Sequence, residues 1–271
     1  MSNGLPPGIV PGSPGATFTD HVGQINASTA FFENLGQQPD DGPIINLNFL
    51  QYRPRRNAAV YNKYGIVAGR EINAVGGVTV FHAEALQGAD AAFGFSADWD
   101  GIALPVYPRR ASYIQLQESP DYQGAIPDRV AGTFARLLYV LSDAEQLFDA
   151  TSSIAELHES RKAVEATPDN LVVCELLKFR DADGVDSFRR YAERVGPLIA
   201  KAGGAVILSV AAELPIVSRE DWDHFTMIRY PSSDAYAALF KSDGMQAANT
   251  LRAQALERHL AVPGTPQALP S

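Results

Sequence analysis

The chain has 271 residues, of which 46% are hydrophobic and 20% charged, which is enough apolar material for the cores of two ordinary globular domains. Its 22 Lys and Arg residues are scattered and are outnumbered by 31 Asp and Glu residues, a balance that argues against nucleic acid as a partner. No apolar run is long enough to span a membrane, and the N-terminus lacks the pattern of a signal peptide. We therefore expect a cytoplasmic protein without a membrane partner.

The first 42 residues differ from the rest of the chain in their high content of Pro and Gly. Segments of this composition bury too little apolar surface to offset the loss of conformational entropy on ordering. The sequence predicts an N-terminal arm over residues 1–42, with one short helix at Asp20–Leu35.

The rest of the chain contains one unit twice. Seven residues recur 127 positions later without a gap: Leu50, Arg53, Tyr64, Gly69, Ile72, Gly76 and Gly77 as Leu177, Arg180, Tyr191, Gly196, Ile199, Gly203 and Gly204. A second set recurs 123 positions later, including Asp98-Trp99-Asp100 as Asp221-Trp222-Asp223 and Tyr107-Pro108 as Tyr230-Pro231. The first copy therefore carries four extra residues between Gly88 and Ala97, and the chain is a tandem duplication.

Hydrophobic periodicity predicts the same order of elements in each copy. The predicted strands are Ile44–Tyr52, Val78–Glu84, Ile102–Tyr107 and Arg136–Leu141 in the first copy, and Leu171–Phe179, Ala205–Ala212, His224–Tyr230 and Glu257–Val262 in the second. Helical spacing follows the first strand, and two helical pieces precede the last one. This βαββαβ order is that of a ferredoxin-like unit. One such sheet leaves a face uncovered, so we predict an α+β fold in which residues 43–141 and 170–263 pack sheet to sheet around a barrel-like core.

Two further segments and the one cysteine complete the reading of the chain. Residues 142–169 are predicted to be a helical linker, with Ser142 and Glu145 as its capping box. Residues 264–271 are predicted to be a loose tail. Cys174 lies in an apolar run without a second cysteine in the chain, so we expect a small buried hydrophobic residue in a reducing compartment.

The second helical region of each copy resembles a known family. The segments are Tyr107-Pro108 with Ser119-Pro120-Asp121-Tyr122-Gln123 and Arg129, and Tyr230-Pro231-Ser232-Ser233 with Ser242-Asp243-Gly244-Met245-Gln246 and Arg252. They resemble the domain-of-unknown-function family 1330, and the resemblance implies an intramolecular dimeric α/β barrel. Relatives in that superfamily include cofactor-free monooxygenases, lactone isomerases, polyketide cyclases and haem-binding dismutases, so the resemblance implies a range of functions.

Comparison of the copies separates structural residues from candidates for chemistry. Five matched pairs are predicted to pack or to cap: Trp99/Trp222, Tyr64/Tyr191, Tyr107/Tyr230, Asp98/Asp221 and Arg129/Arg252. The tryptophans, together with Asn48, Tyr64 and Tyr191, are also predicted to form pocket walls.

Five polar residues that differ between the copies are the candidate catalytic residues. Glu175 replaces Asn48 in an otherwise apolar strand, where a carboxylate needs a partner, and Arg229 is predicted to face it. The alternative is a structural ion pair that stabilises the barrel seam or reaches solvent at a strand end. His82 and Glu84 share a strand face and could act as an acid–base pair or as two ligands of a metal ion. Because a third ligand is not evident nearby, no metal site is predicted. His224 could titrate near neutral pH, although a surface position is the simpler explanation.

These observations favour a small-molecule-binding protein with an apolar pocket between sheet and helices, in one or both halves. The leading hypothesis is a cofactor-independent enzyme of the monooxygenase, isomerase or cyclase type, acting on an apolar or aromatic ligand. The alternative is a non-catalytic ligand-binding or assembly module, and a haem protein is a third option. The expected assembly is a monomeric pseudo-dimer or a homodimer of it.

Overall fold

The computed structural model describes residues 26–39, 42–86, 93–218 and 220–268. The first half comprises β1 (Ile44–Tyr52), α2 (Ala59–Ala74), β2 (Val78–Ala85), β3 (Gly101–Tyr107), α3 (Arg110–Glu118), α4 (Pro120–Gly132) and β4 (Thr133–Ser142). The second half comprises β5 (Leu171–Phe179), α6 (Ala182–Lys201), β6 (Ala205–Val217), β7 (His224–Tyr230), α7 (Ser233–Phe240), α8 (Asp243–Ala255) and β8 (Leu256–Pro266). Helix α1 (Thr29–Gln37) precedes the first half, and α5 (Ile154–Ser160) lies between the halves.

The eight strands form one closed antiparallel barrel in the order β1-β3-β2-β8-β5-β7-β6-β4. Two strand pairs join the halves: β2 with β8, where Ala85 pairs with Gly264, and β4 with β6, where Ser142 pairs with Ala211. The barrel confirms the predicted fold of two ferredoxin-like units. The prediction has only the faces of the two sheets in contact, whereas in the structure their edge strands are also hydrogen-bonded to each other. Neither sheet therefore has an unpaired edge strand at these two positions.

The barrel interior is the largest apolar core of the molecule. Alternate residues of every strand point into it, because successive side chains of a strand point to opposite faces. Its fully buried members include Phe49, Leu104, Cys174, Phe225 and Met227. Burial raises the pKa of the Cys174 thiol well above its usual value, which keeps the thiol protonated, as expected for a structural residue.

The helices cover the outer face of the barrel, and α6 shows how the sequence builds them. Asp181 caps its N-terminus by accepting a hydrogen bond from the Gly184 backbone N–H. The helix ends before Gly203, which has a positive φ of 77°. A Cβ on the next residue, Gly204, would lie 2.9 Å from the carbonyl oxygen of Arg229. The backbone conformation of the first glycine and the close contact of the second therefore both disfavour a side chain.

Three predicted segments differ in the structure. The linker is helical only at α5, and its capping box is Ser153 with Glu156 instead of Ser142 with Glu145, because Ser142 still belongs to β4. Strand β8 continues to Pro266, so the tail predicted to begin at residue 264 starts as a paired strand. The N-terminal helix lies at Thr29–Gln37, and the predicted start at Asp20 falls outside the described residues.

Candidate ligand site in the second half

A cavity of about 40 Å³ lies between the outer face of the second half of the barrel and helices α6, α7 and α8. It has room for about three water molecules. Its wall is mostly apolar and aromatic: Phe93, Val173, Tyr191, Val195, Ile199, Ile228, Tyr230, Tyr236, Phe240 and Met245. Four polar residues complete it: Glu175, Asn249, Arg252 and His259. The cavity is thus in the predicted layer of the second half, and two predicted site residues, Glu175 and Tyr191, line it.

Glu175 and Arg252 form an ion pair in the cavity wall. The Arg252 guanidinium donates a hydrogen bond of 2.8 Å to Glu175 Oε1, and the two side chains are 9% and 16% exposed. The same guanidinium lies 5.8 Å from the centre of the Tyr191 ring. Because a buried carboxylate is costly without a cation beside it, Arg252 is the residue that allows Glu175 to lie on an apolar strand.

The predicted pairing of Glu175 with Arg229 is wrong. In the register of β5 with β7, Glu175 lies opposite Thr226, whereas Arg229 lies opposite Val172. Val172 belongs to the barrel interior, so Arg229 points to the interior face and Glu175 to the helix face. The match with Arg129 predicts a packing role for Arg252. Such a match between the copies does not indicate the contact of Arg252 with Glu175.

His259 lies in the cavity wall next to this ion pair and was not among the predicted site residues. It is 8% exposed, and its Nδ1 atom has no hydrogen-bond partner among the described residues. Burial, with a smaller contribution from the Arg252 charge, lowers the pKa of His259 to about 3. The imidazole is therefore neutral at physiological pH, and Nδ1 is free to donate or accept one hydrogen bond.

His224 is buried and is not at the surface as the simpler explanation held. Its Nε2 atom lies 2.9 Å from Ser209 Oγ, which also accepts hydrogen bonds from the backbone N–H groups of Leu147 and Phe148. With both lone pairs in use, the Ser209 hydroxyl donates to Nε2, which must then be unprotonated. Burial lowers the pKa of His224 to about 3, in agreement with this arrangement. The pair anchors the chain that follows β4.

The remaining predicted site residues lie away from the cavity. His82 is half-buried and Glu84 exposed on β2, and burial lowers the pKa of His82 while the Glu84 charge opposes this. Trp99 and Trp222 belong to the barrel interior. Within the described ranges, no group of three His, Cys, Asp or Glu side chains could hold a metal ion.

The first half has the same framework, with a buried tyrosine at the position of a methionine of the cavity wall. Tyr64, Tyr107, Tyr113 and Arg129 occupy the positions of Tyr191, Tyr230, Tyr236 and Arg252, but Tyr122 replaces Met245. The Tyr122 hydroxyl lies 2.8 Å from the Tyr64 hydroxyl and accepts a hydrogen bond of 3.3 Å from Arg129.

The counterpart of Glu175, Asn48, accepts a hydrogen bond from Arg136 at 3.1 Å. Asn48 and Tyr64, both predicted as pocket walls, therefore lie in the first-half counterpart of the cavity wall.

Each of these two regions is covered by a segment from outside its own repeat. Phe31 and Phe32 of α1 pack on Tyr113 of the first half, with ring centres 6.4 and 5.9 Å apart. In the second half, Phe93 and Phe95 pack on Tyr236, at 5.4 and 5.1 Å. These two residues belong to the insertion of the first copy, of which residues 88–92 lie outside the described part. The sequence signal for this covering role is the presence of two aromatic residues, Phe93 and Phe95, in the insertion.

A known protein family matches the second half of the chain. Residues 172–264 match the family described as Domain of unknown function (DUF1330). The match covers the second half from β5 to β8, and with it every cavity residue except Phe93. No curated protein matches the chain.

Several solved structures are similar to the chain at low identity. An anthrone oxidase-like protein is 12% identical, with a TM-score of 0.52, and the match covers 84% of this chain and 92% of that protein. A protein of unknown function from Rhodopseudomonas palustris is 23% identical, with a TM-score of 0.39, over 45% of this chain and 98% of that one. A mutant chlorite dismutase from Candidatus Nitrospira defluvii is 11% identical, with a TM-score of 0.49, over 88% and 95%. At these identities the anthrone oxidase-like structure supports the barrel fold alone.

None of the helices in the described ranges has the length and apolar character needed to cross a membrane.

Proposed function

We propose that the second half binds a small, largely apolar molecule that carries a polar group, in the cavity between the barrel and helices α6 to α8. One observation carries the proposal: the aromatic cavity is lined by His259, whose buried Nδ1 atom has no partner among the described residues. A buried polar atom left without a hydrogen bond costs about 1–3 kcal/mol. A ligand that bonds to it recovers that free energy and buries its own apolar surface against the aromatic wall.

The five candidate catalytic residues do not converge on this cavity, since Glu175 alone lines it. Binding is therefore the function that the geometry supports best. A cofactor-independent reaction of the monooxygenase, isomerase or cyclase type is the second candidate. It is favoured by the presence of both a carboxylate, Glu175, and a neutral imidazole, His259, in one cavity wall, because such groups can transfer a proton. A cavity of about 40 Å³ is too small for haem.

Binding is tested by nuclear magnetic resonance on protein labelled with ¹³C at the methionine methyl groups. Met245 lines the cavity, and Met227 is buried in the barrel interior, so one reports binding and the other serves as an internal control. Titration with toluene, cyclohexanol and phenol is expected to move the Met245 signal saturably with at least one probe, while Met227 stays in place. Absence of saturable change with all three probes contradicts the proposal.

A matched pair of variants tests whether the probes bind in this cavity. Ile199→Phe fills part of the cavity and is expected to weaken probe binding at least tenfold, because the added ring takes the space of the ligand. Ile72 is the first-half counterpart of Ile199, and Ile72→Phe is expected to leave binding unchanged. Equal loss in both variants would mean that the probes bind elsewhere or that overpacking alone lowers affinity.

The second candidate is tested with whichever probe binds. The probe is incubated in air with the wild-type protein and with Glu175→Gln, and its mass and proton magnetic resonance spectrum are followed, because an isomerisation leaves the mass unchanged. Conversion by the wild type that is lost in the variant supports catalysis, and recovery of the unchanged probe from both supports binding without reaction.

A further inference from the structure

We infer that the ligand of the second half is a neutral phenol, seated where the first half places the side chain of Tyr122. This inference rests on the proposed function and specifies the chemistry of the ligand at the same site. The two halves have one receptor framework, and the first half has a phenol built into it, whereas the second half does not.

The contacts of Tyr122 are those of a bound phenol. The side chain is buried, and its ring packs edge to face on Tyr64 with 5.7 Å between the ring centres. Its hydroxyl bonds to the Tyr64 hydroxyl and accepts from Arg129, whose guanidinium lies 5.3 Å from the centre of the Tyr64 ring. Tyr64 and Arg129 therefore form a hydroxyl and cation receptor for one phenolic oxygen.

The second half retains this receptor and lacks the phenol. Tyr191 and Arg252 correspond to Tyr64 and Arg129, and the Arg252 guanidinium lies over the Tyr191 ring as Arg129 lies over Tyr64. Met245, at the position of Tyr122, has neither a ring nor a hydroxyl. A phenol from solution would supply both, with the same kinds of contact that Tyr122 makes inside the first half.

The polar residues of the second-half cavity select for a neutral hydroxyl. Arg252 is already paired with Glu175, so the two charges neutralise each other and a charged ligand would add an uncompensated charge. His259 is neutral, and its free Nδ1 atom can accept the hydroxyl proton of a phenol in a hydrogen bond. Toluene, which has the same ring without the hydroxyl, would leave this nitrogen unbonded.

Entry of a ring requires a rearrangement that Met245 can provide. The cavity of about 40 Å³ is smaller than the cavity of about 150 Å³ that admits benzene in an engineered protein core. Met245 is the wall residue that replaces the built-in ring, and an unbranched methionine side chain changes shape more readily than the other wall residues.

The first test compares probes on the unmodified full-length chain. Phenol is expected to bind about tenfold or more tightly than toluene and cyclohexanol, with one phenol per chain, followed by calorimetry and by the Met245 methyl signal. Equal affinity for toluene and phenol would overturn the phenol inference while leaving small-molecule binding in place. Failure of every probe to bind would overturn both.

The second test exchanges the deciding residue between the halves. Met245→Tyr is expected to fill the site and abolish phenol binding, and Tyr122→Met is expected to open the first half and raise the stoichiometry from one phenol to two. The Met227 methyl signal reports whether each variant keeps the native barrel interior. A folded Met245→Tyr variant that still binds phenol at wild-type affinity would overturn the inference, and so would a folded Tyr122→Met variant that binds only one.

Discussion

Several buried polar residues of the strands have hydrogen-bond partners from other elements of the fold. Ser209 has one hydroxyl proton and two lone pairs, and His224 and two backbone N–H groups use all three. Glu175 has Arg252. Among the buried side chains with an atom that has no partner in the described part of the chain, His259 is the one that lines the cavity.

The two buried histidines predict a loss of stability in acid. The pKa of each is lowered to about 3 in the folded protein by burial, whereas an unfolded chain takes up the proton near pH 6.5. Between these values the unfolded state holds more protons, so stability falls as the pH is lowered from about 6.5 toward 3. The slope is at most roughly 1.4 kcal/mol per pH unit for each histidine.

Urea unfolding of the wild type and of His224→Gln at several values between pH 4 and 7 measures this effect. Glutamine can still accept the Ser209 proton but takes up no proton itself, so the variant is expected to have a shallower slope over this range. Carboxylates titrate in both proteins, and the difference between the two slopes removes their contribution. Parallel slopes would contradict the assignment of a neutral buried imidazole to His224.

At the scale of elements, the long helix after the first strand of each half, α2 or α6, is followed by a matched Gly-Gly pair. Gly76 and Gly203 have positive φ values of 82° and 77°, which allow the chain to leave the helix and begin the next strand at once. The insertion after β2 acts at the same scale, because Phe93 completes the cavity wall of the other half.

Two alanine substitutions in and after α6 are expected to change stability in opposite directions. Gly203→Ala places a Cβ in a left-handed conformation and is expected to lower the free energy of unfolding by about 1 kcal/mol or more. Gly196 lies inside the helix, and a Cβ added to it would have nothing within 4 Å. Gly196→Ala is therefore expected to raise the free energy of unfolding by up to about 1 kcal/mol. Denaturant unfolding measures both, and a destabilising Gly196→Ala would contradict the helix-propensity argument.

For the whole molecule, barrel closure makes the two halves one cooperative unit. Strand pairs β2–β8 and β4–β6 cross between the halves, and side chains from both copies fill one interior core. Neither half can open without exposing the core of the other.

The single tryptophan of each half tests this cooperativity. Trp99 and Trp222 both lie in the barrel interior, so Trp99→Phe and Trp222→Phe each leave one fluorescent reporter, in the second and first half respectively. Within each variant, the denaturant midpoint from fluorescence is expected to coincide with the midpoint from circular dichroism. Separate midpoints would show that the halves unfold independently.

Much of the architecture could be predicted from the sequence. The strand bounds Ile44–Tyr52, Leu171–Phe179 and His224–Tyr230 agree with the structure, because short apolar runs and Gly-Pro punctuation are local signals. The composition of the linker predicts one helix. In the structure only α5 is helical, because contacts with Ser209 and with the barrel hold other parts of the linker. Composition contains no record of such contacts.

The site itself depended on tertiary structure. The duplication, the βαββαβ order of each copy and the need of Glu175 for a cationic partner follow from the residues alone, because repeats, periodicity and the cost of a buried charge are properties of residues and their spacing. That this partner is Arg252 rather than Arg229, and that His259 and Phe93 line the same cavity, follows from the packing of the strands and helices. A shift of one residue in strand register moves a side chain to the opposite face of the sheet, and spacing along one strand does not specify the register with its neighbour.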